Sequence, residues 1–411
     1  MGIRRPALLH AQDTEQVQRI EVLWSLGKNR AIGGLGFELA ALTVQLQRLL
    51  ERLTRRAAAR AARHHGRDPY GAVGAGVPCD TGLRQAMPLH LIQQLTIIGN
   101  GFTTVPPAQE DAATSVTVTA PDGLQLHVRS YGSRLAPYLP AVCLPGLTRT
   151  VLDFDELAVA LATDPETPRR VIALDSRGRG QSEYDRDPAN YTLTTELADL
   201  QAVLTALDVA PAVFIGTSRG GILTMLLACA RPTMIAGVVL NDIGPVIEPS
   251  GLARIKSYVG KLPQPKSFEE GAEILRRLFG QHFSKLGEDD WLAYSRRSFK
   301  VEGKRLVPNY DVKLARTMDG IDFNRPLPAL WAEFDALGRV PLMVVRGDSS
   351  DILSEATVTA MRARRTGMET VAVADQGHAP LLTGMDLIRR IVTFAASCDQ
   401  GRPAMTGAAA G

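Results

Sequence analysis

This sequence of 411 residues has few cysteines, little excess of charge of either sign, and only short apolar runs. The four cysteines, Cys79, Cys143, Cys229 and Cys398, lie far apart and form no Cys-x-x-Cys pair, which argues against a disulfide framework or a zinc ribbon. We expect them to be reduced, buried thiols of a cytoplasmic protein. The formal net charge is only +3, so the whole chain gives no electrostatic support for nucleic-acid binding.

No stretch of the sequence reaches the ~18 consecutive apolar residues that a membrane-spanning helix needs. The opening MGIRRPALLHAQDTEQVQ becomes polar too early for the apolar core of a signal peptide. The sequence has no Gly-x-x-x-x-Gly-Lys-Ser/Thr phosphate loop and no His or Cys cluster with metal-ligand spacing. We therefore expect no integral membrane segment, no nucleic-acid partner, no cofactor and no metal, and the oligomeric state stays open.

The first part of the chain differs in composition from the rest, because arginine and alanine dominate it. Leucines at steps of three and four residues over 38–63 predict an amphipathic helix, and a Gly- and Pro-rich stretch typical of a linker follows. We interpret residues 1–110 as a weakly ordered or helical extension without catalytic residues; a translation start at Met87 would leave most of it unmade. Residues 401–411 are expected to form a flexible tail.

From Ser115 onward, strand-like and helix-like segments alternate. SVTVTAPDGLQLHVRSYG predicts a hairpin about a Pro-Asp-Gly turn. Short apolar runs that end in Gly, Asp or Ser predict strands buried on both faces: PAVCLPG, RRVIALDSRGRG, PAVFIGTS, IAGVVLNDIG, VPLMVVRGD and ETVAVADQGH. Such strands between helices indicate an α/β fold with a mostly parallel central sheet flanked by helices. We assign this core to residues 111–245 and 338–400, and a charged helical insertion to 246–337.

One strand-to-helix transition places a serine between small residues. In VFIGTSRGGILTMLLA, residues 216–220 match Gly-x-Ser-x-Gly, the pattern of a nucleophile elbow. A structural turn that requires glycine would have the same composition, so the motif alone leaves both interpretations open. A serine nucleophile needs a base, and the base needs an orienting acid, both later in the chain for this type of turn.

Candidates for these partners follow later strands. His378 is the best-placed base, since QGHAP comes directly after the last strand-like run. We choose Asp351 in RGDSSD as the acid, with Asp242, directly after an earlier strand, as the alternative. A tetrahedral oxyanion needs two aimed donors, and we expect them to be the backbone N–H groups of Leu147 and Arg219.

The segments LPGLTRT, DSRGRGQS, GTSRGG, RGDSSD and QGHAP together resemble, in order, the motifs of the α/β-hydrolase fold superfamily. The resemblance covers about residues 115–396 and implies a Ser218–His378–Asp351 triad. It also implies that the insertion is a helical lid over the site. Arginines 177 and 179 in DSRGRGQS look like an anion site, but in the family this loop mainly braces its neighbours.

The resemblance implies a serine hydrolase that cleaves a small or medium ester, lactone or related acyl substrate through an acyl-enzyme. Two alternatives stay open: a C–C bond hydrolase of a dienoate or β-diketone-like substrate, and a non-catalytic ligand-binding member of the fold. The Arg149 and Arg219 side chains would favour a substrate carboxylate if they reach the pocket. Aromatic residues of the insertion are candidates to line it: Trp291, Tyr294, Phe299, Tyr310, Trp331 and Phe334.

Overall fold

The computed structural model describes residues 113–325 and 327–400. The expected N-terminal extension, its helix over 38–63 and the expected tail at 401–411 all lie outside the described residues, as does Cys79. Within the described part, Cys143 is buried as expected, whereas Cys229 is exposed and Cys398 half-buried, and all three are free thiols. The expectation of buried thiols is therefore wrong for Cys229, because its helix turns that side chain outward.

Strands in the described residues form an eight-stranded sheet and a separate hairpin. Strands β1 to β10 are Ala113–Thr119, Gln125–Tyr131, Ala141–Leu144, Val171–Leu174, Ala212–Thr217, Ile235–Asn241, Phe299–Glu302, Arg305–Pro308, Leu342–Gly347 and Glu369–Val373. The large sheet has the order β1-β2-β4-β3-β5-β6-β9-β10, and β7 pairs with β8. In the large sheet, the neighbours in the order β4-β3-β5-β6-β9-β10 are parallel, whereas β1 pairs antiparallel with β2 and β2 pairs antiparallel with β4.

Helices flank the sheet on both faces. Helices α1 to α9 are Asp155–Thr163, Leu193–Ala206, Arg219–Ala230, Pro249–Tyr258, Phe268–Phe279, Glu288–Ser298, Trp331–Ala336, Glu355–Arg364 and Met385–Ser397. Short 3₁₀ helices occupy Val151–Phe154, Pro188–Asn190, Pro232–Met234 and Val312–Met318. None of the helices in the described part of the chain combines the length and the apolar character that crossing a bilayer would require.

The continuous apolar strands are buried on both sides, as their sequence predicts. In β3, Val142 belongs to the apolar cluster on one face of the sheet and Cys143 to the cluster on the other. Phe214 and Ile215 divide in the same way in β5, because successive side chains of a strand point to opposite faces. The α/β fold with a mostly parallel central sheet is thus confirmed.

Between β6 and β9 the chain leaves the sheet for the predicted insertion. Helices α4 to α7 lie there, but so does the β7–β8 hairpin, so this segment is not wholly helical as we expected. A small apolar cluster packs within it and also includes Leu381 of the histidine loop; in this cluster Phe279 and Trp291 both stack on Tyr294. The hairpin was missed because KVEGKR, around its turn, is charged and short.

The chain order of the sheet fixes where a ligand can bind. After β3 the chain proceeds to β4 on one side, then returns to place β5 on the other side of β3. The loops beyond these neighbouring carboxyl ends diverge and leave a crevice, which is the usual ligand position in open α/β sheets. The segments LPGLTRT and GTSRGG lie at this crevice.

Candidate active site

Ser218 lies in the sharp turn between β5 and α3. Its backbone has φ 51° and ψ −114°, a conformation that a non-glycine residue holds only when its surroundings impose it. The turn is tight: a Cβ on Gly216 would lie 2.6 Å from the backbone nitrogen of Gly221, and one on Gly220 would run into the carbonyl oxygen of Leu144. Glycine is therefore required on both sides of the serine, and the turn that requires it is also the turn that presents the hydroxyl.

The serine and the predicted base meet beyond the ends of β5 and β10. Ser218 Oγ lies 2.8 Å from His378 Nε2, and His378 Nδ1 lies 2.8 Å from Asp242 Oδ2. A carboxylate only accepts hydrogen bonds, so Nδ1–H donates to Asp242 and Nε2 is left to accept from the hydroxyl. This arrangement can withdraw the hydroxyl proton as the oxygen attacks an electrophilic carbon.

Asp242, fully buried at the end of β6, occupies the position that we expected for Asp351. Its Oδ1 accepts from the Gly347 N–H at 2.9 Å, and its Oδ2 also accepts from Ser350 Oγ at 2.6 Å. The RGDSSD loop after β9 therefore contributes donors that hold the acid rather than the acid itself. Since β6 and β9 are adjacent parallel strands, residues that follow them lie at the same edge of the sheet.

The prediction that Asp351 orients His378 is wrong in this geometry. The carboxylate of Asp351 receives two hydrogen bonds from Arg254 on α4, at 2.5 and 2.7 Å. Burial alone would raise the pKa of this carboxyl, but the bonds and charge of Arg254 outweigh it and lower the pKa below its ordinary value. Asp351 thus connects the insertion to the core.

Asn241 is a site residue that the sequence analysis missed. Its backbone oxygen accepts from the Ser218 N–H at 3.0 Å. Its side-chain Nδ2 donates to Thr217 Oγ1 at 3.1 Å and to the Pro380 oxygen at 3.0 Å. A single buried amide therefore connects the serine turn to the histidine loop, and its position directly before Asp242 was the available signal.

The two expected oxyanion donors flank the serine. Among the described residues, neither the Leu147 N–H nor the Arg219 N–H has a hydrogen-bond acceptor. Leu147 belongs to the loop after β3, and its carbonyl oxygen accepts from Arg179 Nε at 2.8 Å, which fixes the peptide that follows the N–H group. Arg219 is the first residue of α3, where backbone N–H groups have no intrahelical partner.

Buried arginines in DSRGRGQS brace the loops around the site. Arg177 is fully buried and bonds to carboxylates of Asp122, Asp185 and Asp199. Arg179 shares the buried carboxylate of Glu196 with Arg219, each at 2.7 Å. Their guanidinium groups are therefore engaged within the protein, and the Arg219 side chain is not directed at the cavity above the serine.

A cavity of about 690 Å³, part of it open to solvent, lies above Ser218 and His378. Its floor is the core, including Gly146 and Leu147. Its roof is the insertion, with apolar and tyrosine side chains: Ile255, Tyr258, Leu262, Leu275, Phe279, Tyr294 and Tyr310. Burial raises the pKa of Tyr258, so its hydroxyl keeps the proton and remains a donor. Apolar and polar groups contribute about equally to the lining of the cavity, and the polar groups can fix the orientation of a small molecule.

Only some of the predicted substrate residues line this cavity. Arg149, Tyr294 and Tyr310 do, whereas Trp291, Trp331, Phe299 and Phe334 are not among its lining residues. Trp291 stacks on Tyr294 within the core of the insertion, and Trp331 packs under the guanidinium of Arg364. Their indole rings are used for packing, which is the commoner use of a large aromatic side chain.

A second Ser–His–Asp chain exists elsewhere in the protein and lacks the other features of the site. Ser115 Oγ lies 3.0 Å from His127 Nε2, and His127 Nδ1 lies 2.7 Å from Asp175 Oδ2. Ser115, however, belongs to the edge strand β1, within a regular ladder, and has no strained turn. Hydrogen-bond order alone therefore does not identify a nucleophile.

Comparison with known proteins identifies the family of this chain. A sequence model described as "Alpha/beta hydrolase family" matches residues 141–390. The chain is 35% identical over 268 residues to the 3-hydroxybutyrate-oligomer hydrolase of Cupriavidus necator, covering 62% of this chain and 88% of that protein. It is 39% identical over 109 residues to the sn-1-specific diacylglycerol lipase ABHD11 of Mus musculus, covering 26% of this chain and 34% of that lipase.

A solved structure resembles the whole core. An α/β hydrolase from Novosphingobium aromaticivorans is 38% identical, with a TM-score of 0.63, and the match covers 70% of this chain and 99% of the other. The family match spans more than half of the sequence, and it includes β3, β5, β6 and the histidine loop. The chain is accordingly a hydrolase that belongs to the α/β-hydrolase family.

Proposed function

We propose that the protein is a serine esterase that hydrolyses small or medium carboxylic esters through an acyl-enzyme. The observation that carries this proposal is the Ser218–His378–Asp242 chain, with two contacts of 2.8 Å, at the floor of a cavity lined by apolar and polar side chains. The ester-hydrolysing relatives support the same bond type. The relative that acts on 3-hydroxybutyrate oligomers makes hydroxyacyl esters worth including among the substrates tested.

In the proposed reaction, Ser218 Oγ attacks the ester carbon while His378 Nε2 takes the hydroxyl proton. Asp242 holds the imidazole orientation and stabilises the imidazolium that forms. The N–H groups of Leu147 and Arg219 receive the negative oxygen of the tetrahedral intermediate. His378 then gives its proton to the leaving alcohol, and a water activated by the same nitrogen releases the acid from the serine.

The insertion acts in this proposal as a lid that selects substrates. Its side chains form the roof of the cavity, while the reacting groups belong to the core. Closure over the site would exclude bulk water, which strengthens the electrostatic contacts with the oxyanion.

A fluorophosphonate probe tests the nucleophile directly. We expect the wild type to be labelled at Ser218 by peptide mass spectrometry, and Ser218→Ala to remain unlabelled. Ser115→Ala is the matched control, because Ser115 has a similar hydrogen-bond chain without the strained turn; it should label like the wild type. A folded wild type that resists labelling would instead favour the non-catalytic ligand-binding alternative.

The substrate class is tested with a panel under one set of conditions. It contains p-nitrophenyl esters of increasing acyl length, lactones, dimers and trimers of 3-hydroxybutyrate, and a dienoate for the C–C hydrolase alternative. We expect turnover of esters and little of the dienoate. Faster cleavage of the dienoate than of every ester would overturn the esterase proposal while leaving the nucleophile intact.

A further inference from the structure

We propose that Arg149 is an anion-binding residue of the cavity and that the preferred substrates are esters bearing a free carboxylate a few bonds from the scissile ester. This inference rests on the proposed esterase function and deepens it by naming the substrate class. Four observations support it: the charge of the cavity lining, the free donors of the guanidinium, the local charge balance, and the position of Arg149 beside the serine.

Arg149 is the one permanently charged side chain among the residues that line the cavity at Ser218. The other lining residues are apolar, glycine, tyrosine, hydroxyl-bearing or His378, and no carboxylate is among them. With a neutral ester bound, Asp153 would remain the sole carboxylate partner of Arg149 among the described residues. A substrate carboxylate would meet no repulsion from the lining and a single oppositely charged partner.

The guanidinium of Arg149 is held in place, but not all of its N–H donors have an acceptor. Arg149 Nη1 donates to Asp153 Oδ1 at 3.2 Å, Nη2 donates to Tyr294 Oη, and the group lies 4.2 Å from the centre of the Tyr294 ring. A guanidinium has five N–H donors, and the remaining three find no acceptor in the described residues. The orientation is thus fixed before a ligand binds, which reduces the entropic cost of binding.

Positive charge exceeds negative charge around this group. Asp153 is shared, because Arg297 Nε lies 3.7 Å from the same carboxylate oxygen that Arg149 approaches. In the part of the chain that the structure describes, neither arginine has another carboxylate within ion-pair distance. Arg149, Asp153 and Arg297 are all largely shielded from solvent, and Arg297 Nε is buried without an acceptor. Because two largely shielded guanidinium groups share one carboxylate, a second anion at Arg149 would be stabilising.

The first atoms of the Arg149 side chain also lie close to Ser218. A Cβ placed on Gly146 would lie 3.5 Å from Arg149 Cγ and 3.6 Å from the Cβ of Ser218. Leu147, the proposed oxyanion donor, lies between Gly146 and Arg149 in sequence. A short chain of a few carbons is therefore enough to connect an ester carbon at Ser218 with a carboxylate at the guanidinium.

The test compares matched substrates that differ only by a carboxylate. On the acyl side, p-nitrophenyl hemisuccinate and hemiglutarate are paired with p-nitrophenyl butanoate and pentanoate. On the alcohol side, 3-(butanoyloxy)propanoate is paired with its amide. In the wild type we expect kcat/KM to favour the carboxylate about tenfold to a hundredfold in at least one pair, the range of a charge-assisted hydrogen bond.

Variants of Arg149 should remove this preference. Arg149→Met keeps the length of the side chain without its charge, and we expect the carboxylate-to-neutral ratio to fall close to one. Arg149→Lys keeps the charge without the planar fork and should give an intermediate ratio. Arg277→Met, on the exposed face of α5, is the matched control and should retain the wild-type ratio. A ratio measured within each preparation does not depend on how much of it is folded.

Binding without turnover separates this inference from the esterase proposal. Calorimetry on Ser218→Ala should detect glutarate or succinate, with the dissociation constant about tenfold or more weaker in Ser218→Ala/Arg149→Met. If the wild type showed no labelling and no ester turnover, the esterase proposal would be refuted. The difference in diacid binding between the two variants could still be observed in that case. The inference is overturned if every wild-type ratio is near one, if the ratio survives in Arg149→Met, or if neither diacid distinguishes the two binding variants.

Discussion

At the scale of single residues, one carboxylate decides how the site is built. Asp242 is fully buried and accepts hydrogen bonds from Gly347, Ser350 and His378. The three donors come from different parts of the chain and together fix the position of the carboxylate. The fixed carboxylate in turn holds the imidazole of His378 in one orientation. Asp351, nine residues after the start of β9, is instead bonded to Arg254.

Asp242→Asn and Asp351→Asn form a matched pair that tests this assignment. We expect Asp242→Asn to lower kcat by about three to four orders of magnitude with little change in KM, since an amide favours the wrong imidazole tautomer. For Asp351→Asn we expect kcat within about threefold of the wild type, a barrier change below ~1 kcal/mol. Steady-state kinetics on one p-nitrophenyl ester measures both. If Asp351→Asn lowered kcat more than Asp242→Asn, Asp351 rather than Asp242 would be the acid that orients His378.

At the scale of secondary-structure elements, α2 connects both proposed oxyanion donors. Glu196, in its first turn, bonds Arg179, and Arg179 in turn holds the carbonyl of Leu147. The other carboxylate oxygen of Glu196 bonds the side chain of Arg219, the first residue of α3. Burial alone would raise the pKa of Glu196, but the two guanidinium groups outweigh it and lower the pKa below its ordinary value.

Glu196→Gln should therefore weaken both stability and turnover. Removal of one partner of a buried ion pair typically costs about 3–5 kcal/mol of unfolding free energy, and we expect that loss at pH 7. Because the folded-state pKa of Glu196 is lowered, its contribution is complete above the ordinary glutamate pKa and is lost as the pH falls through the folded-state pKa. The unfolding free energies of wild type and variant, measured by urea denaturation across this range, should converge at low pH. A constant difference would mean that the charge of Glu196 is not the stabilising feature.

At the scale of the whole molecule, the cavity is divided between two parts of the chain. The reacting groups follow β3, β5, β6 and β10 of the sheet, while the roof comes from the segment between β6 and β9. Arg254 and Asp351 join these two parts beside the site. We therefore expect that changes in the insertion can alter the accepted substrate size without any change in the proposed reacting groups. A cytoplasmic location stays a prediction at this scale.

Leu262→Ala tests this division of roles. Leu262 lines the roof and is only partly buried, so its truncation enlarges the cavity without removing a central core residue. We expect the optimum of kcat/KM along a p-nitrophenyl ester series to move to longer acyl chains, with a gain of about fourfold per methylene newly accommodated, from ~0.8 kcal/mol per buried CH₂. Leu278→Ala, at an exposed leucine of α5, is the control and should leave the optimum unchanged. An unchanged optimum in Leu262→Ala would show that the roof does not limit chain length.

The sequence by itself determined the fold class, the order of the motifs along the chain, and the pairing of Ser218 with His378. These follow from local patterns: apolar runs of strand length, glycines that a tight turn requires, and residues placed directly after strands. The acid could not be chosen in this way, because β6 and β9 are adjacent parallel strands and each is followed by an aspartate at the same edge of the sheet. Only the tertiary structure decided between them, since the Gly347 N–H and the Ser350 hydroxyl point at Asp242 while Arg254, far away in sequence, takes Asp351. The same holds for the arginines: Glu196 engages the side chain of Arg219, and of these two arginines only Arg149 is among the residues that line the cavity.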